Sequence, residues 1–139
     1  MAKALLQVCT NPASAAVEGE FNEWYDAVHL GELIELVPGI VAASRYRVDD
    51  LSHRTSVAFR EGDPDEPLFP HRYAALYEID ADDPEAVVRD IRIKASEGRF
   101  RMSPALDAQA APPAMILLTP TGAAAPVGHP EHSQVESAR

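Results

Sequence analysis

The segment HRYAALYEI at 71–79 constrains the fold more than any other part of the chain. It alternates as a β-strand, with Tyr73, Ala75, Tyr77 and Ile79 in one row and Ala74 and Leu76 in the other. Neither row is wholly polar, which predicts a strand buried on both of its faces. A chain of 139 residues, 46% of them apolar, is one domain with enough material for its own core. Whatever covers the two faces of this strand must be helices of the same domain, or something from outside it.

The remaining elements follow from period and punctuation. Residues 3–10 alternate as a strand, Leu5, Gln7 and Cys9 against Leu6 and Val8, until Asn11-Pro12 breaks the run. A helix is predicted over residues 18–37, closed by Pro38-Gly39. IVAASRYRV at 40–48 reads as the second strand, and SHRTSVAF beyond it as an extension or a short hairpin. EGDPDEPLFP at 61–70 is an acidic, proline-rich loop. Asp83-Pro84 supplies an N-cap with proline at the first helical position, opening a helix to Ser96 with Gly98 at its end. Residues 99–113 carry no clear pattern, and AMILLTP at 114–120 is the last strand. The domain is expected to occupy 1–120, with 121–139 as a flexible C-terminal tail in which His129 and His132 are incidental.

The order is βαββαβ, an α+β, ferredoxin-like antiparallel sheet with both helices on one face. The helices leave the second face bare, so a second copy of the chain is the expected cover, giving a homodimer. Twenty-two acids against 12 bases leave a formal charge of −10, which disfavours nucleic acid and anionic membranes as partners. No segment has the length or apolarity of a membrane span or signal peptide, so a cytoplasmic location is expected. The single cysteine, Cys9, reads as a small core residue, and no spacing of Cys and His suggests a metal site. No glycine-rich phosphate loop or GxSxG elbow is present, so nucleotide binding and that nucleophile arrangement have no support.

Chemistry concentrates in the first helix, EGEFNEWYDAVHLGELIELVPG. At 100° per residue Phe21, Trp24, Tyr25, Val28, Leu33 and Leu36 form one apolar stripe, and His29 and Glu32 fall within it. Burying such groups unpaired costs a few kcal/mol, so they either satisfy each other or face a ligand. His29 is then the candidate general acid/base, Glu32 its orienting carboxylate, and Tyr25 the donor to a carbonyl or enolate. The structural alternative is a hydrogen-bonded core histidine, with Trp24 and Phe21 as packing. On the strands, Tyr46, His71, Tyr73 and Tyr77 are candidate lining residues, and His53 and Arg54 candidate cover for a cavity mouth. Arg45 and Arg47 share a face, where an interface ion pair is expected before an anion site.

NEWYDAVHLGELIELVPGIVAASRYRV (22–48) resembles the EthD-like branch of the dimeric α+β barrel superfamily. Asn-x-Trp-Tyr, a histidine one turn on, the Pro-Gly turn and an Arg-Tyr strand carry the resemblance, and HRYAALYEID (71–80) resembles the matching third strand. The resemblance implies the dimeric barrel and a cavity between helices and sheet, with Asn22, Tyr25 and His29 on its side. It also implies proton transfer, without a cofactor, on a small hydrophobic carbonyl, phenolic or polyketide-like compound. The expected function is therefore a cofactor-independent lyase, isomerase or cyclase, with Asn22, Trp24, Tyr46, His71, Tyr73 and Tyr77 binding substrate. Two alternatives stand beside it: a cofactor-free monooxygenase or haem-using relative, and a non-catalytic small-molecule-binding or stress-response dimer.

Overall fold

The computed structural model describes residues 3–51 and 69–122. The segment SHRTSVAF, the acidic residues 61–68 with His53 and Arg54 before them, and the tail from 123 lie outside the described residues. Four antiparallel strands form one sheet in the order β2-β3-β1-β4: β1 Lys3–Thr10, β2 Ile40–Arg47, β3 Tyr73–Asp80 and β4 Ala114–Leu118. With the helices between them this is the expected α+β, ferredoxin-like arrangement. The strand that looked buried on both faces is central, flanked by β1 and β2, as a two-sided apolar pattern requires.

The first helical region begins with a single 3-10 turn at Ala15–Val17 and runs as α1 Glu18–Trp24, a π turn Tyr25–His29 and α2 Leu30–Leu36. Gly39 then reverses the chain into β2. Its φ of +103° suits only glycine, and a Cβ there would stand 2.8 Å from Cγ2 of Val87 on the second helix. That helix, α3 Pro84–Ser96, starts where the sequence puts it: the Asp83 carboxylate accepts from the Ala86 N–H at 3.2 Å, and proline opens the first turn.

Both helical regions lie on one face. Phe21, Leu33, Val37, Val87 and Ile91 pack there against Leu6, Ala75, Tyr77 and Ile79 of the sheet. Among the described residues no helix covers the opposite face. Leu5, Val41, Tyr46, Ile116 and Leu118 are exposed there, 37–55% each. No helix among the described residues is long and apolar enough to cross a membrane.

Candidate functional site

The site begins with a defect in a helix. On a regular α-helix, residues five apart point about 140° away from each other at 100° per residue. The π turn is wider, bonding i to i+5, and brings the residue five positions on above the first. Trp24 and His29 are such a pair. Their rings stack at 4.6 Å between centroids and 26° between planes, while Tyr25 meets His29 edge-on at 5.1 Å. Phe100, from the irregular segment after α3, closes on His29 from the far side at 6.2 Å.

These rings enclose a cavity of about 180 Å³ between the helices and the sheet. Trp24, Tyr25, His29 and Leu33 form its helical wall, Thr10 and Tyr77 its sheet wall, and Phe100, Met102 and Leu106 its rim. The lining is apolar apart from a few side-chain groups, and most of those lack partners. His29 Nδ1 is buried with no hydrogen-bond partner among the described residues. Burial pulls the imidazole down from its ordinary 6.5 to about 4, with the charge of Glu32 a lesser, opposing influence. At neutral pH the ring is uncharged.

The sheet wall behaves the same way. The Tyr25 hydroxyl lies close enough to those of Thr10 and Tyr77 to interact with both. Thr10 Oγ1 and the Tyr77 hydroxyl are nonetheless buried without a partner that meets hydrogen-bond geometry among the described residues. Burial raises the pKa of both phenols, Tyr77 the more, so each keeps its proton as a donor.

Glu32 does not orient His29. Its carboxylate accepts from the Arg101 backbone N–H at 2.8 Å and from Arg101 Nε at 2.9 Å. Burial pushes the Glu32 carboxyl up, but the hydrogen bonds and charge of Arg101 outweigh it and hold the group below its usual range. The Arg101 carbonyl in turn accepts from the Trp24 indole N–H at 2.8 Å. Glu32 and Trp24 together fasten the segment that carries Phe100 and Met102, so this carboxylate builds the cavity rim. The sequence could not show the bond, because its partner lies 69 residues away.

The other expected lining residues separate into different places. Asn22 and Tyr73 belong to a polar cluster at the other end of α1: Asn22 Nδ2 donates to the Tyr73 hydroxyl at 3.4 Å, and that hydroxyl donates to Glu18. Arg72 completes it, reaching Glu18 at 3.0 Å. His71 is buried near the segment before β4, in contact with the Pro112 carbonyl at 2.9 Å through Nε2. Tyr46 stands on the helix-free face, 53% exposed, because β2 alternates and Arg45 takes the helix side. The cavity therefore unites Trp24, Tyr25, His29 and Tyr77, and omits Asn22, Tyr46, His71 and Tyr73. Thr10, Phe100 and Met102 were missed; no periodic signal marks them.

Arg45 also departs from expectation. It pairs with Asp26 of its own chain at 3.1 Å, and its guanidinium lies over the rings of Phe21, Tyr25 and Tyr73 at 5.3, 4.4 and 5.1 Å. Among the described residues no group of His, Cys, Asp and Glu side chains is arranged to hold a metal ion.

No family model matches the sequence, and no curated protein is detectably similar to it. Solved structures do share its shape. The heme-degrader MhuD of Mycobacterium tuberculosis, with two hemes in its active site, superposes with a TM-score of 0.51 at 11% identity, over 88% of this chain and 99% of that one. HapK from Hahella chejuensis gives 0.44 at 12%, covering 92% and 100%. The monooxygenase ActVA-Orf6 of Streptomyces coelicolor, bound to Nanaomycin D, gives 0.43 at 14%, covering 91% and 93%. The shared fold is the α+β arrangement of a four-stranded antiparallel sheet with helices.

The expected lyase, isomerase or cyclase is corrected by these findings. MhuD is named as a heme-degrader and ActVA-Orf6 as a monooxygenase, and none of these neighbours is named as a lyase, isomerase or cyclase.

Haem itself does not fit the described residues. The cavity falls short of the roughly 300–1,000 Å³ of sites for drug-sized ligands, and no lysine or arginine lines it to meet the propionates.

Proposed function

We propose that the chain is a monooxygenase of small electron-rich aromatic compounds, phenols above all, in which the substrate itself reduces dioxygen. The observation that carries this reading is the neutral imidazole of His29, with Nδ1 unpaired, in the wall of a small apolar cavity. A phenol seated there donates its O–H to the imidazole. As an electron passes from the ring to dioxygen, the oxidised phenol becomes a very strong acid, so a weak base suffices to take its proton. The resulting aryloxyl radical and superoxide combine into a carbon–oxygen bond. Loss of water from that peroxide leaves a quinone, so one phenol and one dioxygen give one quinone and one water. Trp24 and Phe100 hold the aromatic ring, and the apolar walls admit dioxygen while keeping bulk water out.

His29→Ala is expected to lower oxygen uptake at least about a hundredfold against a panel of phenols and hydroquinones, the usual scale for a lost proton acceptor. Circular dichroism should remain unchanged. Uptake by the variant equal to that of the unsubstituted protein sinks the reading, and ligand binding without any uptake turns it into a binding protein.

The exposed apolar sheet face supports a homodimer, with a second copy laid across it as in the dimeric barrels. Leu118→Asp should shift the protein to a monomer in sedimentation velocity, and a monomeric unsubstituted protein contradicts this part. The finer placement in the EthD-like branch rests on residues 22–48 and 71–80 alone.

A further inference from the structure

Most of the cavity wall is built from regular elements, and one side is not. Trp24, Tyr25 and Leu33 stand on the first helical region, Tyr77 on the central strand and Ile91 on α3, all of them buried. The remaining side is a strap, residues 99–106, that belongs to no helix or strand. It leaves α3 past Gly98, with the Arg99 N–H still bonded to the Lys94 carbonyl at 2.9 Å. It is tied down again at Ala105, whose carbonyl accepts from the Ala13 N–H at 2.6 Å. Over residues 100–104, the hydrogen bonds that reach another element among the described residues all belong to Arg101. Its N–H and Nε donate to Glu32, and its carbonyl accepts from Trp24. The residues on either side of this latch differ. Phe100 is buried against His29, whereas Met102 lines the cavity and is 57% exposed. Met102 therefore reaches from the cavity into solvent, and it can swing outward while uncovering little buried surface.

We propose that Met102 sets the size of the substrate: held across the mouth by the Arg101 latch, it admits compounds of one aromatic ring and turns away those of two. The cavity measures about 180 Å³, and an apolar protein cavity of about 150 Å³ takes benzene. One substituted ring fills it. A second fused ring finds no space among Trp24, Tyr25 and Tyr77, which are locked in the packed core. It can lodge only where Met102 stands, and an unbranched side chain with three rotatable bonds suits a wall that moves. Met102 meets the far end of the ring and is a specificity-determining residue, not a catalytic one. The inference deepens the monooxygenase reading by naming single-ring phenols as the substrate class, and it rests on that reading for what becomes of the bound compound.

The test is calorimetric titration in the absence of oxygen, with phenol and 2-naphthol as probes. The larger compound is the more hydrophobic, so an open apolar groove would bind it the more tightly. The unsubstituted protein should instead prefer phenol by about tenfold or more. Met102→Ala, at an exposed position that folding tolerates, should tighten 2-naphthol about tenfold and leave phenol within about threefold. Arg101→Ala cuts the Nε bond to Glu32 and keeps the backbone one. It should speed both binding and release of phenol about threefold, followed through the fluorescence of Trp24, the one tryptophan of the chain. Equal affinity for the two probes overturns the proposal, as does binding of neither, or a preference that Met102→Ala leaves unmoved. Rates unchanged in Arg101→Ala overturn the latch. A preference for phenol with no phenol supporting oxygen uptake keeps Met102 in its role and removes the monooxygenase. Oxygen uptake with phenol and 2-naphthol alike does the reverse.

Discussion

The two ends of the first helical region treat their polar groups in opposite ways. At the start of α1, the Tyr73 hydroxyl and Arg72 both bond Glu18, and Asn22 donates to Tyr73. Tyr73, its largest influence, holds the Glu18 carboxyl below the usual range, with Arg72 adding to the effect. Around the π turn, His29 Nδ1, Thr10 Oγ1 and the Tyr77 hydroxyl are buried without hydrogen-bond partners among the described residues. A native structure leaves few buried polar groups unpaired, because each costs about 1–3 kcal/mol. The difference separates a cluster that bonds to itself from the cavity wall where a ligand is proposed to bind.

Acid should break that symmetry first. The unfolded imidazole of His29 takes up its proton near pH 6.5, but the folded one only near 4. Between those values the unfolded chain binds more protons, so stability falls as pH falls from 6.5 to 4, by about 3 kcal/mol. His29→Phe keeps an aromatic ring over Trp24 and removes this term. Urea unfolding at pH 7.5 and 4.5 should show the parent losing about 2.5 kcal/mol more than the variant. Glu18, Glu32 and Asp107, all held below their ordinary range, add a loss at lower pH that both proteins share. Equal losses in the two proteins would mean that His29 is not buried neutral.

The satisfied end should respond in stability rather than in chemistry. Tyr73→Phe removes one hydrogen bond to Glu18 and should cost about 1 kcal/mol, with oxygen uptake unchanged. A variant of full stability whose oxygen uptake has collapsed would move the site toward Tyr73 and dissolve the distinction between the two ends.

Period and capping made most of the fold legible. Asp83-Pro84, Pro38-Gly39 and the two-sided strand placed the helices and the centre of the sheet within a residue or two. The site was only half legible. Trp24, Tyr25, His29 and Tyr77 were visible as aromatic or ionisable residues on core-facing positions. The π turn was not, since a reading at 100° per residue assumes a regular helix and misplaces every angle after the insertion. Glu32 was misassigned for a different reason. Its neighbour in sequence is His29, but Arg101, across the fold, offers it a backbone and a guanidinium donor at once. Tyr46 and Tyr73 failed on strand geometry: the first points away from the helices, and the second is claimed by Glu18.

The most direct test is an NMR titration of the His29 ring nitrogens, alone and with a simple phenol. The expected result is a protonation midpoint near pH 4 and a neutral ring whose Nδ1 resonance moves when the phenol binds. A midpoint at the ordinary value, or an Nδ1 resonance that no phenol disturbs, would show the imidazole engaged by the protein and contradict the cavity as a site of chemistry.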